Sequence, residues 1–534
     1  MAIAETLSRA QIGLSAPLVH VEVHLAAGLP SFNLVGLPAP VVRESRERVR
    51  AAIVNSGYEF PPGRITVNLA PVELAKEGGR FDLPIALGLL LASGQARRAL
   101  HGPFECYGEL GLGGELKPVS GLLLAALHAR RAGHRLVLPA DNLREAQRVA
   151  EHTASGFRSL RAVCDFLAGE SAAEPPGAAG HPLRPAGASA GEETDCDGDT
   201  VSPAEQKQSL DDVMGQSRAK RALAIAAAGG HSLLMMGPPG SGKTLLASRI
   251  AGLLPPMTEA ECLEVACIAC VASGSFEFTH WGRRPFRAPH HSASASAILG
   301  GGPRLGPGEI SLAHGGVLFM DELPEFDRRV LESLREPLES GRVTLSRAGG
   351  RLDLPAGFQL VAAMNPCPCG HRGDKGEACR CTSSEIDRYR ARISGPLWDR
   401  IDLRVEVPRQ DLDDLLGALP APDSDAGDGE AAQPRIAHLT QQEARRQVAV
   451  ARAQQQRRGC LNVRLPVQRL ALECAIDGRA RRVLHDSQTL ASLTGRGLHR
   501  ILRVARTIAD MEQSAVLREA HVAEAIQFHR PMSR

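Results

Sequence analysis

The sequence predicts an α/β protein of several domains, with a parallel sheet in its central domain. At 534 residues the chain is longer than one hydrophobic core usually supports. Its central part contains three short apolar runs, and each is followed directly by glycines, carboxylates or an amide, as in a nucleotide-binding sheet. Strand and helix patterns mix before this part, and helical patterns follow it.

The first apolar run, residues 231–236, leads into a phosphate-binding loop with the pattern G-x-x-x-x-G-K-T. Glycines let backbone N–H groups curl around phosphate oxygens, and a helix predicted over 245–251 adds its positive N-terminus. The lysine is expected to reach the outer phosphates of ATP, and the threonine to ligate Mg²⁺. The residues expected to bind the nucleotide are Gly237, Pro238, Pro239, Gly240, Ser241, Gly242, Lys243 and Thr244.

The second and third apolar runs supply further groups for phosphate chemistry. Residues 316–320 are followed directly by Asp321 and Glu322. Asp321 is expected to hold Mg²⁺ through water, and Glu322 to polarise the attacking water. Residues 358–364 are followed directly by Asn365, which is expected beside the γ-phosphate. A run ending in Asp-Glu usually marks only a strand end, but together with the phosphate loop it predicts ATP hydrolysis.

Composition limits the class of protein. A net charge of +2 restricts any nucleic-acid surface to a local patch, and an aromatic content of 3% leaves base stacking no main role. The longest apolar run, residues 83–92, is too short to span a bilayer, and the first residues lack a signal-peptide pattern. We therefore expect a cytoplasmic protein that has no membrane partner.

Changes in composition predict five segments. These are an α+β domain over 1–170, an acidic flexible linker over 171–208, the nucleotide-binding domain over 209–416, a second acidic linker over 417–436, and a helical domain over 437–534. In the first segment we expect strands over 19–25, 32–35, 64–69 and 134–139, and helices over 41–54, 82–91, 121–131 and 143–151.

Four cysteines lie close together just after Asn365. Their thiolates could surround one tetrahedral Zn²⁺ ion, with His371 as a substitute ligand. The C-x-C spacing is tighter than the usual C-x-x-C, so free thiols remain the alternative. The adjacent histidines His290 and His291 cannot easily share one ion, and we expect a loop role for them. The four possible zinc ligands are Cys367, Cys369, Cys379 and Cys381.

Two segments of the first domain, residues 108–121 and 132–142, resemble the proteolytic domain of Lon proteases. That family uses a Ser-Lys dyad. In the register of the resemblance, Arg80 stands at the position of the serine and Ala125 at that of the lysine. A serine nucleophile requires its hydroxyl and an adjacent base, so the resemblance implies a Lon-like fold without protease activity.

The central and C-terminal segments resemble AAA+ ATPases of the magnesium-chelatase and MCM helicase group. The order of all three domains, together with residues 28–38, 43–49 and 286–292, resembles the YifB/ComM group of magnesium-chelatase-like proteins over nearly the whole chain. The resemblance implies a homo-oligomeric, ATP-driven ring, which we expect to be a hexamer. In the ComM branch it implies DNA unwinding and branch migration during natural transformation.

Three arginines are candidates for transition-state stabilisation. Arg400 follows a short predicted helix, and an arginine at a subunit edge can reach the nucleotide of a neighbouring subunit. The alternative for Arg400 is an ion pair within its own subunit. In AAA+ proteins the helical domain is a lid that supplies another arginine, for which Arg496 is the best match and Arg500 the second. The alternative for both is that they only solvate the surface of the helical domain.

Two insertions are expected to perform the mechanical work. Residues 285–308 are rich in Gly, Ser and Pro between two regular elements, and residues 342–354 predict a hairpin that turns at Gly349-Gly350. In the family these segments line the pore of the ring. Arg347 and Arg351 suit sequence-independent contact with DNA phosphates, whereas an ordinary solvated hairpin is the alternative.

These observations leave three hypotheses for function. The first is a ring-shaped ATPase that moves on single-stranded or branched DNA with ATP and Mg²⁺. The second is a chaperone-like or chelatase-like remodelling ATPase that acts on protein. The third, an ATP-dependent protease, is opposed by Arg80 and Ala125.

Overall fold

The computed structural model describes residues 2–39, 42, 44–76, 78–99, 101–150, 153–171, 209–302, 306–347, 350–374, 377–410, 439–486 and 494–529. Both predicted linkers, except for residue 171, lie outside these ranges. The chain divides into two compact units. One contains the described residues of 1–195 together with 266–278, and the other contains the described residues of 196–265 and 279–534.

The first unit contains a mixed sheet of seven strands in the order β3-β4-β2-β1-β5-β8-β9. A separate two-stranded hairpin is formed by β6 and β7. The strands are β1 (Ala2–Arg9), β2 (Leu18–Ala26), β3 (Ser31–Val35), β4 (Arg64–Ala70), β5 (Phe104–Cys106), β6 (Glu109–Leu110), β7 (Leu116–Lys117), β8 (Arg135–Pro139) and β9 (Ala154–Phe157). The helices are α1 (Ser45–Asn55), α2 (Asp82–Ala92), α3 (Leu122–Ala132), α4 (Leu143–Ala150) and α5 (Leu160–Leu167).

Helix α2 forms the centre of this unit because nearly all of its residues are apolar. Ten of its eleven residues are buried, and it packs on strands β1 and β2. The predicted strands over 19–25, 32–35, 64–69 and 134–139 are confirmed as β2, β3, β4 and β8. Strand β1 is not among the predicted strands. Its buried residues are the polar Thr6, Ser8 and Arg9, so no apolar alternation marks it in the sequence.

A charged cluster is buried around Glu105, a residue of strand β5. The Glu105 carboxylate is fully buried and accepts hydrogen bonds from the Arg9 guanidinium, at 2.7 Å from Nη2 and 2.9 Å from Nε. His134 Nδ1 lies 2.8 Å from the same carboxylate, and the Tyr107 hydroxyl also donates to it. A buried carboxylate is stable only when its lone pairs are satisfied in this way.

The second unit contains a parallel sheet of five strands in the order β11-β14-β17-β10-β18. Two hairpins, β12-β13 and β15-β16, stand apart from it. The strands are β10 (Leu233–Met236), β11 (Phe286–Arg287), β12 (Gly300–Gly301), β13 (Gly306–Pro307), β14 (Val317–Met320), β15 (Arg342–Arg347), β16 (Gly350–Pro355), β17 (Gln359–Met364) and β18 (Leu403–Glu406). The three predicted apolar strands are confirmed as β10, β14 and β17, which are buried at every residue.

Helices cover this sheet and follow it to the end of the described chain. Those before β18 are α6 (Ser217–Gly229), α7 (Lys243–Arg249), α8 (Glu259–Ser273), α9 (Ala295–Leu299), α10 (Glu309–Leu312), α11 (Arg328–Ser333), α12 (Arg335–Ser340), α13 (Ser383–Arg390) and α14 (Gly395–Trp398). Those after it are α15 (Gln441–Arg458), α16 (Val467–Glu473), α17 (Gly478–Asp486), α18 (Gly495–Met511) and α19 (Glu519–His529). Helices α15 and α18 pack on α6. No helix among the described residues combines the length and the apolar character needed to cross a membrane.

The two predicted insertions differ in detail from expectation. Residues 285–308 are not irregular throughout: they begin with the sheet strand β11 and contain α9 and the hairpin β12-β13. Hairpin β15-β16 is confirmed, but Arg347 pairs with Gly350, so Gly350 is a strand residue and not a turn residue as expected. Gly349 lies outside the described residues.

We predict that replacing Glu105 with alanine strongly destabilises the first unit. The Arg9 guanidinium would remain buried without its partner, at a cost of about 3–5 kcal/mol. Chemical denaturation followed by circular dichroism measures this change. The control is Glu5→Ala, because Glu5 pairs with His20 at an exposed site and its loss should cost less than about 1 kcal/mol. Equal unfolding midpoints for the two variants would contradict the prediction.

Candidate functional site

The phosphate-binding loop connects the carboxyl end of β10 to the first turn of α7. Gly240 and Gly242 have φ values of 74° and 86°, in the left-handed region that side chains disfavour. A Cβ atom on Gly237 would lie 2.0 Å from the Val407 carbonyl oxygen. These glycines are therefore required by backbone conformation and by close packing, and helix α7 starts at Lys243 with its N-terminus facing the loop.

Lys243 ties the loop to the neighbouring strand. Its Nζ donates to the carbonyl oxygens of Gly237 and Pro238, both at 2.8 Å, and to Asn365 Oδ1 at 3.2 Å. Burial lowers the pKa of Lys243, while the carboxylates of Asp321 and Glu322 act in the opposite direction. The structure thus brings together the lysine, the amide and both carboxylates that the sequence singles out.

Thr244 and Asp321 form the expected pair of hard oxygen donors. The Thr244 hydroxyl donates to Asp321 Oδ2 at 2.6 Å, and Asp321 Oδ1 accepts the backbone N–H of Glu322 at 2.9 Å. A hydroxyl and a carboxylate held side by side are the donors that Mg²⁺ takes beside nucleotide phosphates. The residues therefore fit a magnesium ion, which would neutralise charge on the phosphates of a bound nucleotide.

Glu322 has an unusual backbone conformation, because its φ of 50° is rare for a residue that carries a side chain. Such strain is kept where the surrounding structure fixes it, often at a functional site. Its carboxylate Oε2 lies 3.3 Å from His291 Nδ1, with half of the Glu322 side chain exposed. Sequence reasoning placed His291 in a loop and did not identify this contact.

Arg400 lies at the opposite edge of the sheet from the phosphate loop. Its carbonyl oxygen accepts the hydroxyl of Ser232, which precedes β10, whereas the loop follows β10. Its guanidinium is largely buried and pairs with Glu339, at 2.8 Å between Nη2 and Oε2, and with the Pro396 carbonyl oxygen. The ion pair within the subunit that the sequence left open as an alternative is therefore present.

The two candidate arginines of the helical domain lie at the same edge as Arg400. The Arg496 side chain is exposed at the start of α18. Arg400 lowers the pKa of the Glu339 carboxyl, and Arg496 adds a smaller effect in the same direction. Arg500 is buried, and its Nη2 lies 3.7 Å from Asp399 Oδ1. The structure gathers all three arginines in one region and separates them from Lys243.

A buried polar chain fixes this edge to the helical domain. His231 lies 2.8 Å from Thr507 Oγ1 on α18 through Nε2 and 3.3 Å from Asp402 Oδ2 through Nδ1. The backbone N–H of Asp402 donates to Ser232 Oγ at 2.9 Å. Helix α18 is thereby bonded to the segment that carries Arg400. The sequence offered no signal for this set of hydrogen bonds, since the residues that form it lie far apart along the polypeptide.

The four cysteines after Asn365 converge. Their sulfur atoms all lie within 4.8 Å of one another, and the resolved separations are 3.4 Å from Cys367 to Cys369 and 3.7 Å from Cys379 to each of these two. Backbone N–H groups of His371 and Arg380 lower the pKa of Cys369 to about 6, and burial raises that of Cys367 to about 12. The fourth member, Cys381, belongs to the same cluster.

The cysteine loop packs against the phosphate loop. A Cβ atom on Gly370 would lie 2.6 Å from the Pro239 ring and 3.9 Å from the Asn365 side chain. Gly370 also has a φ of 86°. Only glycine fits there, so the position of the cysteine loop and that of the phosphate loop are interdependent.

In the first unit, the two residues that the resemblance to Lon proteases aligns with the catalytic dyad cannot form a dyad. Arg80 is buried, and its Nη2 donates to the Ser120 carbonyl oxygen at 2.7 Å and to Gln11 Oε1 at 3.3 Å. Ala125 is fully buried in α3. Neither residue supplies a nucleophile or a base.

The two insertions contact each other. A Cβ atom on Gly300 of β12 would lie 3.0 Å from the Leu345 side chain of β15. The Arg351 side chain is well exposed and lies 3.4 Å from Asp353 Oδ1. The side chain of Arg347 lies outside the described part of the structure, so its expected DNA contact stays a prediction.

Comparison with protein families matches three regions of the chain. Residues 209–415 match magnesium chelatase subunit ChlI, residues 21–142 match a further model described as subunit ChlI of Mg-chelatase, and residues 439–529 match the C-terminal part of subunit ChlI. The five-stranded parallel sheet that carries the phosphate loop fits the P-loop AAA+ domain of this family.

Similar proteins cover almost the whole chain. YifB of Salmonella typhimurium is 43% identical over 528 residues, and competence protein ComM of Haemophilus influenzae is 43% identical over 530, each covering 99% of this chain and 97% of the relative. An uncharacterised protein of Mycobacterium tuberculosis is 38% identical over 550 residues, with both chains covered completely. The chain therefore belongs to the YifB/ComM family of magnesium-chelatase-like AAA+ proteins.

Proposed function

We propose that this protein is a ring-forming ATPase that moves on DNA and promotes unwinding and branch migration during recombination in natural transformation. The observation that carries the proposal is the separation of two sets of groups. The groups that hold and attack ATP lie at the carboxyl edge of the parallel sheet, whereas the candidate arginines lie at its amino edge.

The carboxyl edge supplies the chemistry of hydrolysis. Residues 237–244 bind the phosphates of ATP, and Lys243 offsets their charge. Thr244 and Asp321 hold Mg²⁺. Glu322 accepts a proton from the attacking water while Asn365 orients that water beside the γ-phosphate. The water oxygen bonds to the γ-phosphorus, the bond to the bridging oxygen breaks, and ADP and phosphate leave while Glu322 returns its proton to solvent.

The amino edge supplies the argument for a ring. Gly237 lies five positions after Ser232, which at about 3.3 Å per residue is about 16 Å of extended strand. Arg400, bonded at the Ser232 end, is too far away to reach the phosphates in its own subunit. To act in hydrolysis it would have to leave Glu339 and reach a nucleotide bound by a neighbour. Head-to-tail contacts of this kind form rings when the rotation between subunits closes. Arg496 and Arg500 lie at the same edge, and we propose the same direction of action for them.

DNA as the substrate is supported by the two insertions and by one relative. Hairpin β15-β16 and the insertion of residues 285–308 touch each other, and Arg351 is exposed near the hairpin tip. Arginine at such a position contacts phosphates whatever the base sequence. One relative is named competence protein ComM, and this name supports a competence-related role. We propose a hexamer whose pore is lined by both insertions.

The other segments complete the proposal. Residues 1–170 form a Lon-protease-like domain without a catalytic dyad, which serves as a scaffold. Residues 209–416 form the AAA+ domain and residues 437–534 the helical lid, with linkers over 171–208 and 417–436. The buried bond from His231 to Thr507 supports a lid that is attached at the amino edge of the sheet.

We further propose that the cysteine cluster holds one structural Zn²⁺ ion. Zn–S bonds of about 2.3 Å in a tetrahedron place sulfur atoms about 3.8 Å apart. The separations of 3.4 and 3.7 Å fit this arrangement. Four thiolates fill the coordination sphere, so the ion would support the loop behind Asn365 and take no part in hydrolysis.

We predict that DNA raises the ATPase rate and that Arg351→Ala weakens this effect. Loss of one phosphate contact should weaken DNA binding for all sequences and reduce the salt dependence by about one unit. ATPase assays with single-stranded and forked DNA at several salt concentrations measure both. Arg446→Ala, which removes an exposed arginine from α15, is the control. A wild-type protein that is neither stimulated nor retained by DNA at low salt would rule out the DNA motor. The remodelling ATPase would then be favoured, and stimulation by unfolded protein would test it.

We predict that Arg400→Ala retains ATP binding but loses hydrolysis by about 10³-fold or more. Lys243→Ala should lose nucleotide binding, because the phosphates lose their cationic partner. Co-expression of the two inactive variants should restore part of the activity, since some interfaces then combine an intact Lys243 with an intact Arg400. Binding of a fluorescent ATP analogue and steady-state ATPase rates measure these effects. Complete inactivity of mixed rings would exclude action between subunits.

We predict that the purified protein contains about one zinc ion per chain. Elemental analysis of protein prepared under reducing conditions measures the content. Cys369→Ser should lose the ion, whereas Cys460→Ser, outside the cluster, should retain it. Metal-free wild-type protein that also fails to bind added zinc would show that the cysteines are free thiols.

A further inference from the structure

The C-terminal helical region is far more basic than the chain as a whole. Residues 439–529, which match the C-terminal part of subunit ChlI, contain fifteen arginines, no lysine and eight carboxylates. Their formal net charge is therefore +7, whereas the whole chain carries +2, which leaves −5 for all other residues. The positive charge of the protein is thus concentrated in this region.

Many of these arginines are used to hold the region together. Nine of them lie at hydrogen-bond or ion-pair distance from an oxygen atom, namely Arg445, Arg446, Arg452, Arg457, Arg458, Arg469, Arg500, Arg503 and Arg506. Within the described part of the chain, the three arginines of helix α17 have no such partner. Their charge is therefore not compensated inside the folded subunit.

Helix α17 presents these three arginines to solvent on one side. Ala480 is fully buried, and Val483 and Leu484 pack against the hydrophobic core of the second unit. The apolar positions follow helical spacing, so the other side of the helix is left for polar groups. The exposed residues on that side include Arg479, Arg481, Arg482 and His485.

The position of α17 is fixed by backbone hydrogen bonds at its start. The N–H of Leu517 donates to the Ala475 carbonyl oxygen at 2.7 Å, and the N–H of Asp477 donates to the Leu517 carbonyl oxygen at 3.1 Å. Asp477 Oδ1 accepts the N–H of Ala480 at 2.6 Å, in the first turn of the helix. Arg518, which directly follows Leu517, is exposed and adds a further positive charge near this end. The arginines are therefore carried by an ordered element, which reduces the entropy lost on binding.

The chemistry of this surface favours phosphate groups as its ligand. Each guanidinium offers a planar fork of N–H donors that matches phosphate oxygens in pairs. A lipid surface would also require apolar side chains that enter between the headgroups. On α17 the apolar side chains face the core, and Leu472 on the neighbouring helix α16 is a single exposed leucine. A polymer of phosphates therefore fits the helix better than a membrane does.

We propose that α17, together with Arg518, is a second DNA-binding site that contacts the phosphodiester backbone and lies apart from hairpin β15-β16. Its contacts are made to phosphates, so binding does not depend on base sequence and weakens as salt rises. The choice of DNA as the polyanion rests on the proposed function. The inference adds a contact that retains the DNA while the two insertions act on it.

The test measures binding of fluorescently labelled single-stranded and duplex DNA to the full chain, without nucleotide and at several salt concentrations. The triple variant Arg479→Gln, Arg481→Gln, Arg482→Gln should bind both DNAs at least about tenfold more weakly at low salt. The slope of log K against log salt should fall by about two to three units. Glutamine retains the helical propensity of arginine, so the helix should form as in the wild type.

A matched control removes the same amount of charge elsewhere. The triple variant Arg97→Gln, Arg131→Gln, Arg144→Gln replaces three exposed arginines of the first unit and should bind DNA as the wild type does. Circular dichroism and the ATPase rate without DNA show whether each variant is folded. Both should be unchanged in the α17 variant, because its three arginines lie outside the groups proposed to act on ATP.

Each outcome decides the proposal. Wild-type affinity in the α17 variant overturns it, and so does an equal loss in the control. Binding of the wild type to anionic phospholipid vesicles but not to DNA would assign the helix to a lipid surface, and smaller assemblies of the α17 variant in size-exclusion chromatography would assign it to a subunit interface. Either result overturns the site. DNA binding that depends on α17 without stimulation of the ATPase would reject the DNA motor alone, whereas stimulation with unchanged binding in the α17 variant would reject the second site alone.

Discussion

The parallel alignment of β10, β14 and β17 is the constraint on which the rest of the structure depends. Parallel neighbours end at the same edge, so the loop after β10, the carboxylates after β14 and the amide after β17 must meet. Two hydrogen bonds join these three segments, one from Lys243 to Asn365 and one from Thr244 to Asp321. Residues more than a hundred positions apart thus become one site.

The same alignment separates the arginines from that site. Arg400 precedes β18 and therefore lies at the amino edge, where Ser232 and Asp402 fix its backbone. The bond from His231 to Thr507 holds α18, and with it Arg496 and Arg500, at this edge too. The candidate arginines and the candidate phosphate-binding residues therefore lie at opposite edges of one sheet, and this separation is the physical basis for the proposed ring.

Two further groups lie next to the candidate phosphate-binding residues. Gly370 packs the cysteine loop against Pro239, so a metal ion that orders this loop would also order the phosphate loop. His291, which follows strand β11, lies 3.3 Å from the Glu322 carboxylate, measured from Nδ1 to Oε2.

The sequence by itself determined strands β10, β14 and β17 and the candidate residues at their ends. Glycine pattern, apolar runs and their polar ends are local signals. Residues 237–244, Asp321, Glu322 and Asn365 were named from these signals and lie together in the structure, whereas their contact with ATP stays a prediction. Helix α2 was also predictable, because a helix that is apolar on all sides must be buried. Only the tertiary structure decided which partners meet across long stretches of chain: Arg9 with Glu105, Arg400 with Glu339, His231 with Thr507, and His291 with Glu322. Such pairs depend on strand order and register, which local patterns do not encode.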